Sequence, residues 1–278
     1  MPRHAVVLLC ALLGGCALGP GGPFATLEPT FEAVLVAPED RALPGGWQQL
    51  NTNYQARFTV ARVDFVRLEL LSAAGAGGAF DPANPPPGYS LCHGGHCHRD
   101  DGALIPYEDI AAELGGGGGA RTVARMPVGT RDLLAGGQAP LGCANTCDLP
   151  SGDIARMRLG IARVRLEGFV RDSLSAPRLS GEVPFLLDVA LSPQGGEPLP
   201  GATIDAALEL PVDRKALPRI GLDVAFRPTG ALLDGVDWAA VPATSGVLDL
   251  SADPRSLRVL QNLERSPFGA TVSRSHLP

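Results

Sequence analysis

Aromatic side chains are scarce, 5% of 278 residues, and the formal net charge is −6 rather than positive. A chain with few ring faces and no basic excess suits neither single-stranded nucleic acid nor a duplex backbone, so no nucleic-acid partner is expected. Charged residues are sparse at 19%, while hydrophobic residues reach 45%. That balance belongs to a chain that buries a core, not to a disordered one. No apolar run approaches the roughly 20 residues of a membrane-spanning helix. No internal repeat stands out. There is no G-x-S-x-G and no H-E-x-x-H. The five glycines at 115–119 lack the Lys-Ser/Thr pair and the preceding strand of a phosphate-binding loop. Of five histidines, His4 and His276 lie at the ends and three are clustered. A Ser-His-Asp triad has little to build on, and no enzyme is expected.

Glycine and proline are abundant, 35 and 26 residues, together about 22% of the chain against an average of about 12%. Without a collagen period, this excess favours many short strands joined by tight turns. Val183, Phe185, Leu187, Val189 and Leu191 recur at every second position. Ile204, Ala206, Leu208 and Leu210 do the same, as do Ile220, Leu222, Val224 and Phe226. Period-2 alternation marks half-buried strands. Met157, Leu159 and Ile161 alternate with Arg156 and Arg158, and then the phase slips by one to Val164 and Leu166. A β-bulge would produce that slip. Residues 58–71 show a similar broken alternation. The stripe of Arg156, Arg158, Arg163 and Arg165 reads as the solvated face of this strand. Short helices are expected over 106–114, and after Asp253-Pro254 with Leu257, Leu260 and Leu263 on one face. Residues 73–148 differ in kind, holding Pro85-Pro86-Pro87, the five glycines and four of the six cysteines. They read as a long insertion. The expected fold is mostly β: an antiparallel β-sandwich with a long Cys/His-rich insertion and few short helices.

The N-terminus reads as an address. A short basic start precedes nine largely apolar residues at 5–13, the length of a signal-peptide core. Leu13-Gly14-Gly15-Cys16 follows and resembles the lipobox of bacterial lipoproteins. The resemblance implies removal of residues 1–15 and lipidation of Cys16. It also implies a chain anchored in the bacterial cell envelope, with Ala17 after the cysteine favouring the outer membrane. Several acyl chains give durable anchoring where one does not. Residues 16–27 read as a flexible tether and 28–278 as the domain. The segment D-L-P-S-G-D at 148–153, followed by a long alternating strand, resembles periplasmic β-sandwich lipoproteins, the methanobactin-associated metal-binding proteins among them. That resemblance implies a sandwich and a metal.

The chemistry lies in Cys92-His93-Gly94-Gly95-His96-Cys97-His98, with a second pair at Cys143 and Cys147. Four cysteines in an exported chain read first as two disulfides, with three connectivities open. Neutral imidazole suits copper, zinc and nickel. His96 and His98 share a face in an extended segment, and His93 can fold back over the two glycines. His93, His96 and His98 are therefore the candidate ligands of a copper or zinc ion held for capture, delivery or sensing. Asp100 and Asp101 are candidates to orient an imidazole N–H. A four-thiolate zinc site would use Cys92, Cys97, Cys143 and Cys147, but the spacings depart from tight C-x2-C knuckles. A rival is a single c-type haem on Cys92, Cys97 and His98, with His276, Met126 or Met157 as the second axial ligand. Another is a structural lipoprotein whose stapled loops bind an envelope protein partner.

Overall fold

The structure is a computed structural model that describes residues 25–72, 85–86, 88–93, 96–100, 102–106, 110, 122–150, 152–191, 198–213 and 217–276. In chain order the strands are β1 (Ala25–Ala33), β2 (Ala42–Leu43), β3 (Trp47–Gln49), β4 (Tyr54–Ser72), β5 (Tyr89–His93), β6 (His96–Arg99) and β7 (Leu104–Pro106). They continue with β8 (Thr122–Asp132), β9 (Gln138–Pro140), β10 (Asp148–Leu149), β11 (Gly152–Asp172), β12 (Val183–Ala190) and β13 (Thr203–Val212). The last are β14 (Arg219–Phe226), β15 (Ala243–Thr244), β16 (Val247–Asp249) and β17 (Phe268–Ser275). They form a nine-stranded sheet, a five-stranded sheet and a separate three-stranded sheet, and the architecture is mostly β and sandwich-like.

The large sheet is built on β11, which pairs antiparallel with β4 along almost its whole length. On its other side β11 pairs first with β13, through Gly160, and then with β12, from Arg163. The phase slip in the sequence falls at this change of partner. The ladder to β4 shifts between Ile161 and Arg163, so Ala162 is the extra residue of a bulge. Val66 of β4 is a second extra residue, between Phe65 and Arg67. The bulges keep Met157, Leu159, Ile161, Val164 and Leu166 all buried despite the broken alternation. Gly168 is where β4 comes closest: a Cβ there would collide with the Arg57 carbonyl.

The small sheet is centred on β1, whose Leu27, Phe31 and Ala33 are buried. Pro29 stands in the middle of this strand. Odd-numbered amides of β1 point away from β14, since Leu27 N–H donates to Cys147 while Thr26 N–H donates to Pro218. The missing Pro29 donor therefore faces the break between β9 and β10, where no ladder partner runs. The two sheets meet through edge-to-face aromatic contacts. Phe65 of β4 packs against Phe31 of β1 at 5.2 Å and Phe226 of β14 at 5.7 Å.

The mostly-β, sandwich-like expectation is met, and three details differ from the sequence reading. The sheets are mixed: β1 pairs parallel with β14, and β12 with β16. Partners far apart in sequence are free of the hairpin constraint that enforces antiparallel pairing. The segment 73–148 is not one insertion, because β8 pairs with β4, and β9 and β10 pair with β1. The tether is also shorter than 16–27, since Ala25 already pairs with Leu149. The C-terminal helix, Ser256–Glu264, buries Ser256, Val259, Leu260 and Leu263, while Leu257 is 42% exposed. The face runs i, i+3, i+4, i+7 from Ser256. Of the helix expected over 106–114, Pro106 ends β7 and Ile110 is helical and fully buried; the rest lies outside the described residues.

Candidate metal centre

The three-stranded sheet β5–β6–β7 carries the Cys/His segment. Its ladder explains why the imidazoles converge. His93 of β5 pairs directly with His96 of β6, and opposed residues of an antiparallel pair share a face. His98 lies two positions beyond His96 and so returns to that face. Cys97, between them, turns to the opposite face, where it is fully buried and pairs with Ile105. The register slips between Ser90 and His93, so Leu91 and Cys92 together oppose Cys97. Leu91 takes φ of 42° at this bulge, a left-handed backbone that non-glycine residues rarely adopt, and it is 73% exposed.

A Cys92–Cys97 disulfide, with Cα atoms 4.0 Å apart, ties β5 to β6 beside the histidines. The ring centroids of His93 lie 4.8 Å from His96 and 5.4 Å from His98, and His96 and His98 are 5.7 Å apart. Nε2 of His93 and Nε2 of His98 are 3.3 Å apart. Two nitrogens bound at 2.0–2.1 Å to one tetrahedral ion lie about 3.3–3.4 Å apart, so this pair already spans the edge of a tetrahedral site. All three rings have a ligating nitrogen within 4.8 Å of the others, so His96 stands beside the pair. His93 is exposed and His96 and His98 are half-buried, which leaves the nitrogens reachable from solvent. The triad can hold a metal ion.

The remaining candidates fall into different places. Asp100 is exposed, and its backbone N–H donates to the Gly88 carbonyl at 3.0 Å. Among the described residues its carboxylate makes no hydrogen bond to an imidazole. Asp101 and Cys16 lie outside the described residues. Cys143 and Cys147 form a second disulfide, partly buried against the sandwich core, on the link from β9 to β10. With both pairs closed, neither a four-thiolate site nor thioether attachment of haem has a sulfur to use. The other haem ligands are scattered too. Met126 and Met157 are fully buried core residues, and His276 is exposed beyond β17.

Three of the four arginines of the stripe are ion-paired on the outer face. Arg158 pairs with Asp205, Arg163 with Asp188 and Arg165 with Glu167. The hydrogen bond from Arg163 holds the Asp188 carboxyl below the usual carboxylate range; partial burial opposes it, and the charges of Arg163 and Arg165 add to it. The groove over the small sheet is likewise satisfied within itself. Gln138 donates to Thr30 and Asp223, and Arg227 pairs with Glu32. Sequence reading missed Leu91 and its bulge, which set the hairpin register, and no sequence signal marks a left-handed leucine. Comparison with protein-family models, curated proteins and solved structures finds no match to this chain.

Proposed function

We propose that the chain is an envelope lipoprotein that captures and hands on a transition metal ion, copper first and zinc second, on the histidine face of its disulfide-tied hairpin. The observation that carries this reading is the 3.3 Å separation of His93 and His98 Nε2, with His96 beside them. Imidazole-rich sites favour copper over its first-row neighbours, and zinc accepts the same ligands. The lipobox of Leu13 to Cys16 supplies the envelope part of the reading. The haem alternative recedes because Cys92 and Cys97 are paired with each other.

The test is a titration of copper and zinc into the purified full chain and into the variant with His93→Ala, His96→Ala and His98→Ala. The expected result is one high-affinity ion per chain, lost in the variant. Protons and metal compete for the same imidazole nitrogens, so affinity should fall as pH is lowered. Equal affinity in the two proteins would overturn the reading and leave the hairpin as a structural or partner-binding element.

A further inference from the structure

We infer that the triad holds its ion with one coordination position open to solvent, and that this position takes a single imidazole nitrogen from outside the chain. The inference rests on the metal reading of the triad and names the ligand that completes it. Three nitrogens define one face of a tetrahedron, and the group that can converge here contains three side chains and no fourth among the described residues. Zinc sites with three protein ligands keep the fourth position for a water or an incoming ligand, whereas closed four-ligand sites are structural. The three ligands come from one two-stranded ladder and all lie on one of its faces. The side of the ion away from the sheet therefore stays uncovered by β5 and β6.

The cysteines argue against one class of donor. All four described cysteines are closed into disulfides. Such pairing belongs to an oxidising compartment, where an incoming thiolate would be consumed by oxidation. Imidazole survives there and is a borderline donor suited to copper and zinc. It has two sources, a free small molecule or the histidine of a metal-exchanging protein, and the rim of the site distinguishes them. Leu104 of β7 opposes His98 in the ladder, so it shares the histidine face, and it is 57% exposed. A peptide with an apolar residue beside its histidine can cover Leu104, and free imidazole cannot.

The test uses the full chain loaded with the ion that the titrations identify. Imidazole and a blocked histidine peptide flanked by leucines are each added in a calorimeter, with ultrafiltration to follow the ion. The expected result is saturable uptake of one donor per ion, absent from metal-free chain and from the triple-alanine variant, with the ion retained. A peptide at least tenfold tighter than imidazole assigns the donor to a protein; equal affinities assign it to a free ligand. A loaded chain that takes up neither donor, or that releases its ion to them, overturns the open position and leaves metal capture standing. A chain that binds no ion overturns both.

Discussion

Gly168 illustrates how one residue fixes the distance between strands. Its missing Cβ leaves room for the Arg57 carbonyl of β4, and the Phe185 ring stands 3.0 Å from where a Cβ would lie. Gly168→Ala should cost about 1–3 kcal/mol by forcing β4 and β11 apart, read as a lower urea midpoint. Gly160→Ala on the same strand meets nothing nearer than 3.6 Å, and should stay within about 0.5 kcal/mol. A midpoint drop of equal size in both would show that packing at Gly168 is not the cause. Neither glycine is distinguishable in the sequence, because the difference lies in what the neighbouring strand does. Asp188 offers a charge counterpart. Arg163 bonds it at 2.6 and 2.8 Å and lowers its pKa. A carboxyl depressed in the folded state contributes stability above its unfolded value and loses it as pH falls through the lowered one. Arg163 is 54% exposed, so solvent screening keeps the pair's contribution small. Asp188→Asn should show that deficit at pH 7 in urea melts, and the gap from wild type should close below the lowered pKa. A gap that persists in strong acid would assign the loss to packing instead.

Between elements, the two disulfides serve different units. Cys143–Cys147 closes the link from β9 to β10, and the Cys147 carbonyl accepts from Leu27 of β1. Cys143→Ser with Cys147→Ser should lower sandwich stability by about 2 kcal/mol, the chain-entropy value for so short a loop, with metal affinity unchanged. Cys92→Ser with Cys97→Ser should do the converse. Sandwich unfolding should change by less than about 0.5 kcal/mol, since β5–β7 form no ladder with the other sheets. Metal affinity should fall by at least about tenfold, because His93 and His96 are no longer held in register before the ion arrives. Denaturant melts and metal titration of the two double variants measure both effects, and matching losses in both would dissolve the division. The convergence of the histidines was legible in the sequence, because strand period and the Gly94-Gly95 pair suffice to bring them together. The pairing of the cysteines was not, because local and crossed connectivities differ only in which loops the fold brings near each other. The C-terminal helix was legible in place but not in rotation. Its start at Ser256, two residues after Pro254, turns Leu257 outward and Val259 inward. Leu260→Ala should therefore cost about 2–5 kcal/mol, against under about 0.5 for Leu257→Ala.

At the scale of the whole molecule, the least legible feature is the pairing of β1 with β14, which joins Leu27 to Ile220 and Phe31 to Val224. The alternation of Leu27, Phe31 and Ala33 is present in the sequence, but Pro29 interrupts it, and its register with a strand so distant is set only when the sandwich closes. The small sheet thus cannot assemble until the C-terminal third of the chain is available, a high-contact-order arrangement that folds slowly. It also places the N-terminal strand at the centre of a sheet rather than at a frayed edge. This bears on the proposed anchor. Nine Cα-to-Cα steps separate Cys16 from Ala25 at the start of β1, and fully extended they span at most about 32 Å. A lipid on Cys16 would keep the sandwich within that distance of the bilayer, with the load carried by a strand paired on both sides. Cys16→Ser should abolish palmitate labelling and move the chain from the membrane to the soluble envelope fraction. Its copper or zinc affinity should not change, because the ligands lie on β5 and β6 and the anchor lies before β1. Palmitate incorporation that survives Cys16→Ser would remove the lipoprotein assignment, and a loss of metal affinity in the released chain would tie the hairpin to the membrane rather than to its own ladder.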